Sequence, residues 1–209
     1  MNAQDIHGSS TYFHECPDLA RLPVEVDTET FDRLDTETDG ILVLADLYVA
    51  GRAPQDLLTQ RLPSAWQGKQ FGQWIDIALT RRMFREIGFS FDGKPSARPR
   101  RSLTLFRAAP LRTRHGISWT TCPERAAGIG AYYDAPESVS DVWSVRIPPN
   151  RLLGFCSFED EFLIDLEGYE DHVHPTMPKP STDRRTMKRV DRWIRRVNPE
   201  FYAARSRWF

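Results

Sequence analysis

Cysteine is scarce in this chain. Cys16, Cys122 and Cys156 are widely separated and odd in number. That excludes a disulfide framework and offers no ligand spacing for structural zinc, so a reducing compartment is expected. Long apolar runs are also missing. No stretch of about 18 apolar residues occurs, so no membrane span is expected. The N-terminus, Met-Asn-Ala-Gln-Asp-Ile-His7, has neither the basic nor the apolar region of a signal peptide, and a cytoplasmic protein is expected. There is no Gly-Lys-Ser/Thr phosphate loop and no Gly-x-Gly-x-x-Gly unit after a strand, which removes P-loop and Rossmann readings. No internal repeat is visible, and net charge is only −1.

What is present is enough for a folded domain. The chain has 209 residues, 40% hydrophobic content and six Trp, which suits one sizeable domain or a domain with an accessory segment. Charge is segregated by sign. Residues 1–48 hold eleven Asp/Glu against Arg21 and Arg33, and residues 184–209 hold nine Lys/Arg against Asp191 and Glu200. Two readings stay open: two solvated faces that pair with each other, or a basic C-terminal surface for a polyanion.

Periodicity divides the chain. Residues 1–27 read as a polar arm or irregular cap. The run Ile41–Val49 reads as a buried helix, with Gly51 as its C-cap and Pro54 opening a short helix over 54–62. Residues 69–88 predict a helix ended by Gly88. Its apolar face is Phe71, Trp74, Ile75, Ala78, Leu79, Met83 and Ile87, read as core rather than a cofactor box. Residues 91–101 carry Gly and two prolines and read as a linker. The expected organisation is a mainly helical region over 1–95 and an α+β domain over 100–209.

Within the second part, strand-like runs fall at 102–107, 116–120, 141–147, 151–156 and 161–165. Cys122-Pro123-Glu124 begins a short helix with proline in its first turn. Residues 168–182 read as loop. Residues 183–197 read as a basic helix with Met187, Val190, Ile194 and Val197 on its apolar side and Trp193 alongside.

Chemistry concentrates in three of these runs. In Phe158-Glu159-Asp-Glu161-Phe-Leu-Ile-Asp165, Glu159 and Glu161 sit two apart at the start of an apolar strand, and a period of two puts both side chains on one face of it. Buried carboxylates need a cation or a hydroxyl. Arg107 ends the first strand, and Ser118 and Thr120 lie on one face of the second, with Trp119 turned the opposite way into packing.

The ordered text Phe106-Arg107-Ala108, His115-Gly116-Ile117-Ser118-Trp119-Thr120, Glu124-Arg-Ala126 and Glu159-Asp-Glu161-Phe-Leu-Ile-Asp165 resembles the ADP-ribosyltransferase family. The branch is the one marked by Arg, then Ser-x-Thr, then Glu-x-Glu, and the pattern is similar to that of a group of bacterial and phage proteins. The resemblance covers about a third of the chain. It implies a small split mixed or antiparallel sheet of ADP-ribosyltransferase type behind the helical region. It also implies NAD as substrate and transfer of ADP-ribose to a macromolecular acceptor, with protein arginine the first choice, as in a toxin or phage effector. By that resemblance Glu161 supports the ribose during bond cleavage, Arg107 grips the NAD phosphate or ribose, Ser118 binds the nicotinamide ribose, Thr120 supports the site, and Glu159 orients or deprotonates the acceptor. The chain departs from the pattern in Ala108 for Gly, His115 for a basic residue, and Ile129 where relatives place an aromatic, a role Tyr132 or Tyr133 would have to fill.

Competing readings remain. Arg107 and Glu161 form a partly buried ion pair without catalysis in one. NAD hydrolysis without transfer is another. A third is a non-catalytic module that binds nucleic acid or an acidic partner through the basic helix, with Trp193 and Trp208 stacking on bases. His172-Val-His174 beside Glu170 and Asp171 lacks a second ligand cluster and reads as a solvated loop. His7 and His14 read as surface residues. Cys122 sits where a helix dipole lowers a thiol pKa, but with no base nearby it reads as packing.

Overall fold

The computed structural model describes residues 26–37, 40–68, 76–133, 141–176 and 184–205. The expected N-terminal arm, the first part of the predicted 69–88 helix and Trp208 therefore lie outside the described residues. Helices α1 (Thr28–Glu37), α2 (Gly40–Val49), α3 (Gln55–Gly68) and α4 (Ile77–Ile87) come first. Strands β1 (Ser90–Phe91), β2 (Lys94–Pro95), β3 (Leu103–Ala109) and β4 (Ser118–Thr120) follow, then helix α5 (Pro123–Tyr133). Strands β5 (Asp141–Ile147), β6 (Leu152–Cys156), β7 (Glu161–Ile164) and β8 (Val173–Pro175) precede helices α6 (Arg184–Val197) and α7 (Pro199–Arg205). The class is α+β, with one open mixed sheet of eight strands in the order β2-β1-β6-β7-β4-β3-β5-β8. The β1–β6 pair is parallel and the other pairs are antiparallel.

Helix ends follow local chemistry. α2 stops in a Schellman turn: Gly51 has φ 68°, its N–H donates to Tyr48 O, and Arg52 N–H donates to Leu47 O. α3 outruns the expected 54–62 span and carries Pro63 inside it. α4 starts later than residue 69 because Asp76 is its N-cap. The extended Asp76 backbone and the carboxylate accepting from Ala78 N and Leu79 N mark a helix beginning, not an interior. Its buried face is Thr80, Arg81, Met83 and Phe84, while Ala78 is exposed.

Two apolar cores hold the layers. On one side of the sheet, α1–α4 pack with Ile117, Leu153, Cys156 and Leu163. This core crosses the expected boundary between a helical region and the sheet. On the other side, Phe91, Trp119, Phe155 and Phe162 meet Val190, Trp193 and Ile194 of α6. Trp193 is 4% exposed and contacts Phe155 and Phe162 at centroid distances of 5.3 and 5.7 Å, so it is a core residue and not a stacking platform. Each such buried side chain contributes about 1.5–3 kcal/mol.

Residues 90–95, expected as the end of one region and the start of a linker, form β1 and β2 at the sheet edge. Residues 173–175, expected as loop, form β8 at the other edge. Among the described residues no helix is long and apolar enough to cross a membrane.

Candidate functional site

β4 lies between β3 and β7 and organises the site. Thr120 is opposite Glu161 on β7 and opposite Phe106 on β3. Residues directly opposed across antiparallel strands share a face, and Ser118 shares it by alternation. Trp119 points to the other face, 2% exposed within the second core, and its Nε1 donates to Gly116 O at 2.7 Å. Glu161 opens β7, is 7% exposed, and is also opposed to Cys156 of β6. The sheet register thus brings Ser118, Thr120 and Glu161 onto the face covered by α1–α4.

Arg107 is joined to β4 by a different route. In the β3–β5 ladder it is opposite Trp143, so alternation starts it on the face away from Phe106. β3 and β4 are paired at Phe106–Thr120, and beyond that pair the ladder is not continued. From there Arg107 Nη1 donates to Ser118 O at 3.0 Å, and the guanidinium lies against the Gly116 backbone. A Cβ at residue 116 would sit 2.5 Å from Arg107 Cζ, so only glycine leaves room there. Burial lowers the Arg107 pKa and the Glu161 carboxylate opposes that shift. Arginine stays protonated regardless. Its Nε is buried without a hydrogen-bond partner in the protein, a donor that a bound polyol or anion would satisfy.

Three residues that periodicity did not single out hold this arrangement. Trp66, near the end of α3, donates from Nε1 to Ser118 Oγ at 3.3 Å. It packs edge-on to Phe84 and brings the helical layer onto the Ser118 face. A buried indole N–H needs an acceptor, which flags Trp66 in the sequence but does not name its partner 52 residues away. Arg81 of α4 is 9% exposed and donates from Nη2 to His115 O at 2.5 Å, fixing the backbone just before Gly116. Arg85, one turn on, forms a fork with Asp165 at 2.7 and 2.8 Å and also bonds Glu167. Burial raises the Asp165 pKa, but the Arg85 bonds and the Glu167 N–H outweigh it and leave the carboxyl below its usual value. α4 is therefore tied to the loop entering β4 and to the residues leaving β7.

Glu159 is not on the strand. Residues 157–160 form a turn, and β7 begins at Glu161, so the period-two argument for a shared face does not apply. Asp160 has φ 52°, which breaks strand alternation between the two glutamates. The turn is pinned from outside: Asp92, between β1 and β2, accepts from Ser157 N at 2.7 Å and Ser157 Oγ at 2.6 Å. At its tip Phe158 is 85% exposed and Glu159 is half-buried.

The remaining candidates separate clearly. Thr120 Oγ1 accepts from Cys122 N at 3.3 Å and so helps turn the chain into α5. The Cys122 thiol is not activated. Burial pushes its pKa up, Glu124 adds to this, and Sγ donates to Glu124 Oε2. His115 is half-buried, with its pKa lowered by burial and by Arg114. Ile129 is 42% exposed on α5. The side chains of Tyr132 and Tyr133 lie outside the described residues. His172 stacks on Tyr169, rings 3.7 Å apart, and His174 is exposed on edge strand β8. No protein-family profile matches this chain, and no curated protein and no solved structure matches it.

Proposed function

We propose that this chain uses NAD to transfer ADP-ribose to a macromolecular acceptor. One observation carries the reading. The register opposes Thr120 to Glu161 with Ser118 on the same face, and Arg107 from the neighbouring strand bonds the Ser118 backbone oxygen. The fit to a dinucleotide rests on the donor present: a buried Arg107 Nε with no partner in the protein, in a guanidinium that the missing side chain of Gly116 leaves room for.

NAD supplies a nicotinamide–ribose bond whose cleavage develops positive charge on the sugar. Glu161 sets a largely desolvated carboxylate at the site, where it favours that charge as it develops more than it favours the neutral ground state. Ser118 offers a hydroxyl to the ribose, and Trp66 orients it. Arg107 supplies a planar cation suited to phosphate or ribose oxygens. In the transfer, nicotinamide leaves with the bonding electron pair, the acceptor nucleophile bonds to the sugar carbon, and Glu159 takes the acceptor proton. Protein arginine is the leading acceptor. The exposed Phe158 and the neighbouring Glu159 give the turn an apolar contact and a carboxylate for a guanidinium-bearing surface.

The test is incubation with labelled NAD and cell lysate, comparing wild type with Glu161→Ala. Label transfer that the variant loses by at least about 100-fold supports the proposal. Nicotinamide release without transfer selects hydrolysis instead. Neither product from wild type overturns the enzymatic reading.

A further inference from the structure

We infer that the outward face of α6, together with the segment before β3, is a binding surface for the phosphate backbone of nucleic acid. This goes beyond the transferase reading and does not depend on it. Residues 98–101 read in the sequence as linker and α6 as a separate basic helix. The fold joins them. Trp193 Nε1 donates to Ala97 O at 2.6 Å, and Arg189 Nη1 donates to Ser102 O at 3.0 Å. These two bonds bracket residues 98–101 against α6 and spend the inner side of the helix on packing, so its other cations are left outside.

The exposed cations among the described residues include Arg100 and Arg101 from the segment, and Lys188, Arg192, Arg195 and Arg196 from the helix. On α6 the spacing 188, 192, 195, 196 forms one stripe of about 12 Å at 1.5 Å rise per residue. Two acidic groups lie nearby, the half-buried Asp191 and the exposed Glu200 of α7, so the surface is strongly net positive. Such a stripe, widened by a second pair of arginines, suits a polymer with phosphates repeating along a line. An acidic peptide is a weaker match, because guanidinium forks on two separate backbone segments suit closely repeated phosphates.

Trp193 is buried and Arg195 packs over the Tyr202 ring, so none of the described aromatics of α6 is presented for base stacking. The binding is therefore backbone-directed and insensitive to base sequence.

The experiment is fluorescence anisotropy of the full chain with labelled duplex DNA and duplex RNA of roughly 20 base pairs and mixed sequence, from about 50 to about 200 mM salt. Polyglutamate of matched charge serves as competitor. Binding should weaken steeply with salt, with a log–log slope near −4 to −5 for about five phosphate contacts on DNA. Arg192→Glu with Arg196→Glu, and separately Arg100→Ala with Arg101→Ala, should each lower affinity at least about tenfold and flatten the slope by about 2. All four positions are exposed, and unchanged thermal unfolding of the variants confirms that folding is not the cause. No binding at low salt, full affinity in both double variants, or equal competition by polyglutamate overturns the inference.

Discussion

The guanidinium of Arg107 occupies the space that a side chain at Gly116 would need, with Cζ 2.5 Å from the position of a Cβ there. Two residues of one motif are thus linked by exclusion. The glycine is required by what arginine does and not by its own backbone angles. Gly116→Ala should displace a flexible side-chain end instead of breaking the fold. The expected result is a stability loss near 1 kcal/mol with at least a roughly tenfold loss of NAD binding. Thermal unfolding and calorimetric titration with NAD check the two halves. Unchanged NAD affinity with Arg107 displaced would remove Arg107 from the binding role.

Trp66 and Ser118 join the helical layer to the sheet through one hydrogen bond. Trp66→Phe keeps most of the packing and deletes the donor, so it should cost about 1 kcal/mol in unfolding free energy. Trp66→Ala should cost about 3–5 kcal/mol, because it also opens a cavity against Phe84. Chemical denaturation distinguishes the two. Nicotinamide release measured on the Phe variant reports whether orienting Ser118 matters to turnover.

Asp92 holds the turn that carries Phe158 and Glu159. Asp92→Gly removes both bonds to Ser157 and still accepts the φ of 47° found there. On the proposed reading, transfer of label to acceptor should fall about tenfold while NAD hydrolysis changes by less than about threefold. Parallel assays of transfer and nicotinamide release give the ratio. An equal fall in both would make Asp92 a general structural support and not a support for acceptor engagement.

Burial first, and then Arg114, hold the His115 imidazole below its ordinary 6.5, with Glu170 and Asp171 opposing. A lowered folded value means the unfolded chain takes the proton first. The associated stability is complete above the unfolded value and is lost as pH falls through the folded one. Thermal midpoints should therefore decline from near neutrality into mild acid. His115→Gln should flatten that part of the profile, which melts across the range will show.

Strand positions from 103 to 164 were legible because short runs of β-branched and aromatic residues between turn signals report a local preference. α2 and α6 were legible for the same reason, one ended by glycine and the other carrying a clean apolar stripe. The start of α4 was missed because apolar spacing continued past Asp76, while the cap depends on two backbone N–H bonds that spacing does not encode. β1, β2 and β8 were missed because two- and three-residue edge strands lack a period and exist through their neighbours. Glu159 was put on a strand by the same reliance on alternation, which the positive φ of Asp160 defeats.

The sequence alone determined which residue types were available and in what order: an arginine, a hydroxyl strand, a paired acid, and a helix whose charge and apolar stripe lie on different sides. Those are local properties, written in spacing. Tertiary structure alone decided that Arg107 packs against Gly116 and bonds Ser118 O, and that Trp66 meets Ser118. It also decided that Arg81 holds His115, that Asp92 pins Ser157, and that Arg100 and Arg101 join α6. All but the first join residues at least 34 apart in the chain. Their partners are selected by how two cores close on opposite faces of one sheet, and no period along the chain carries that information.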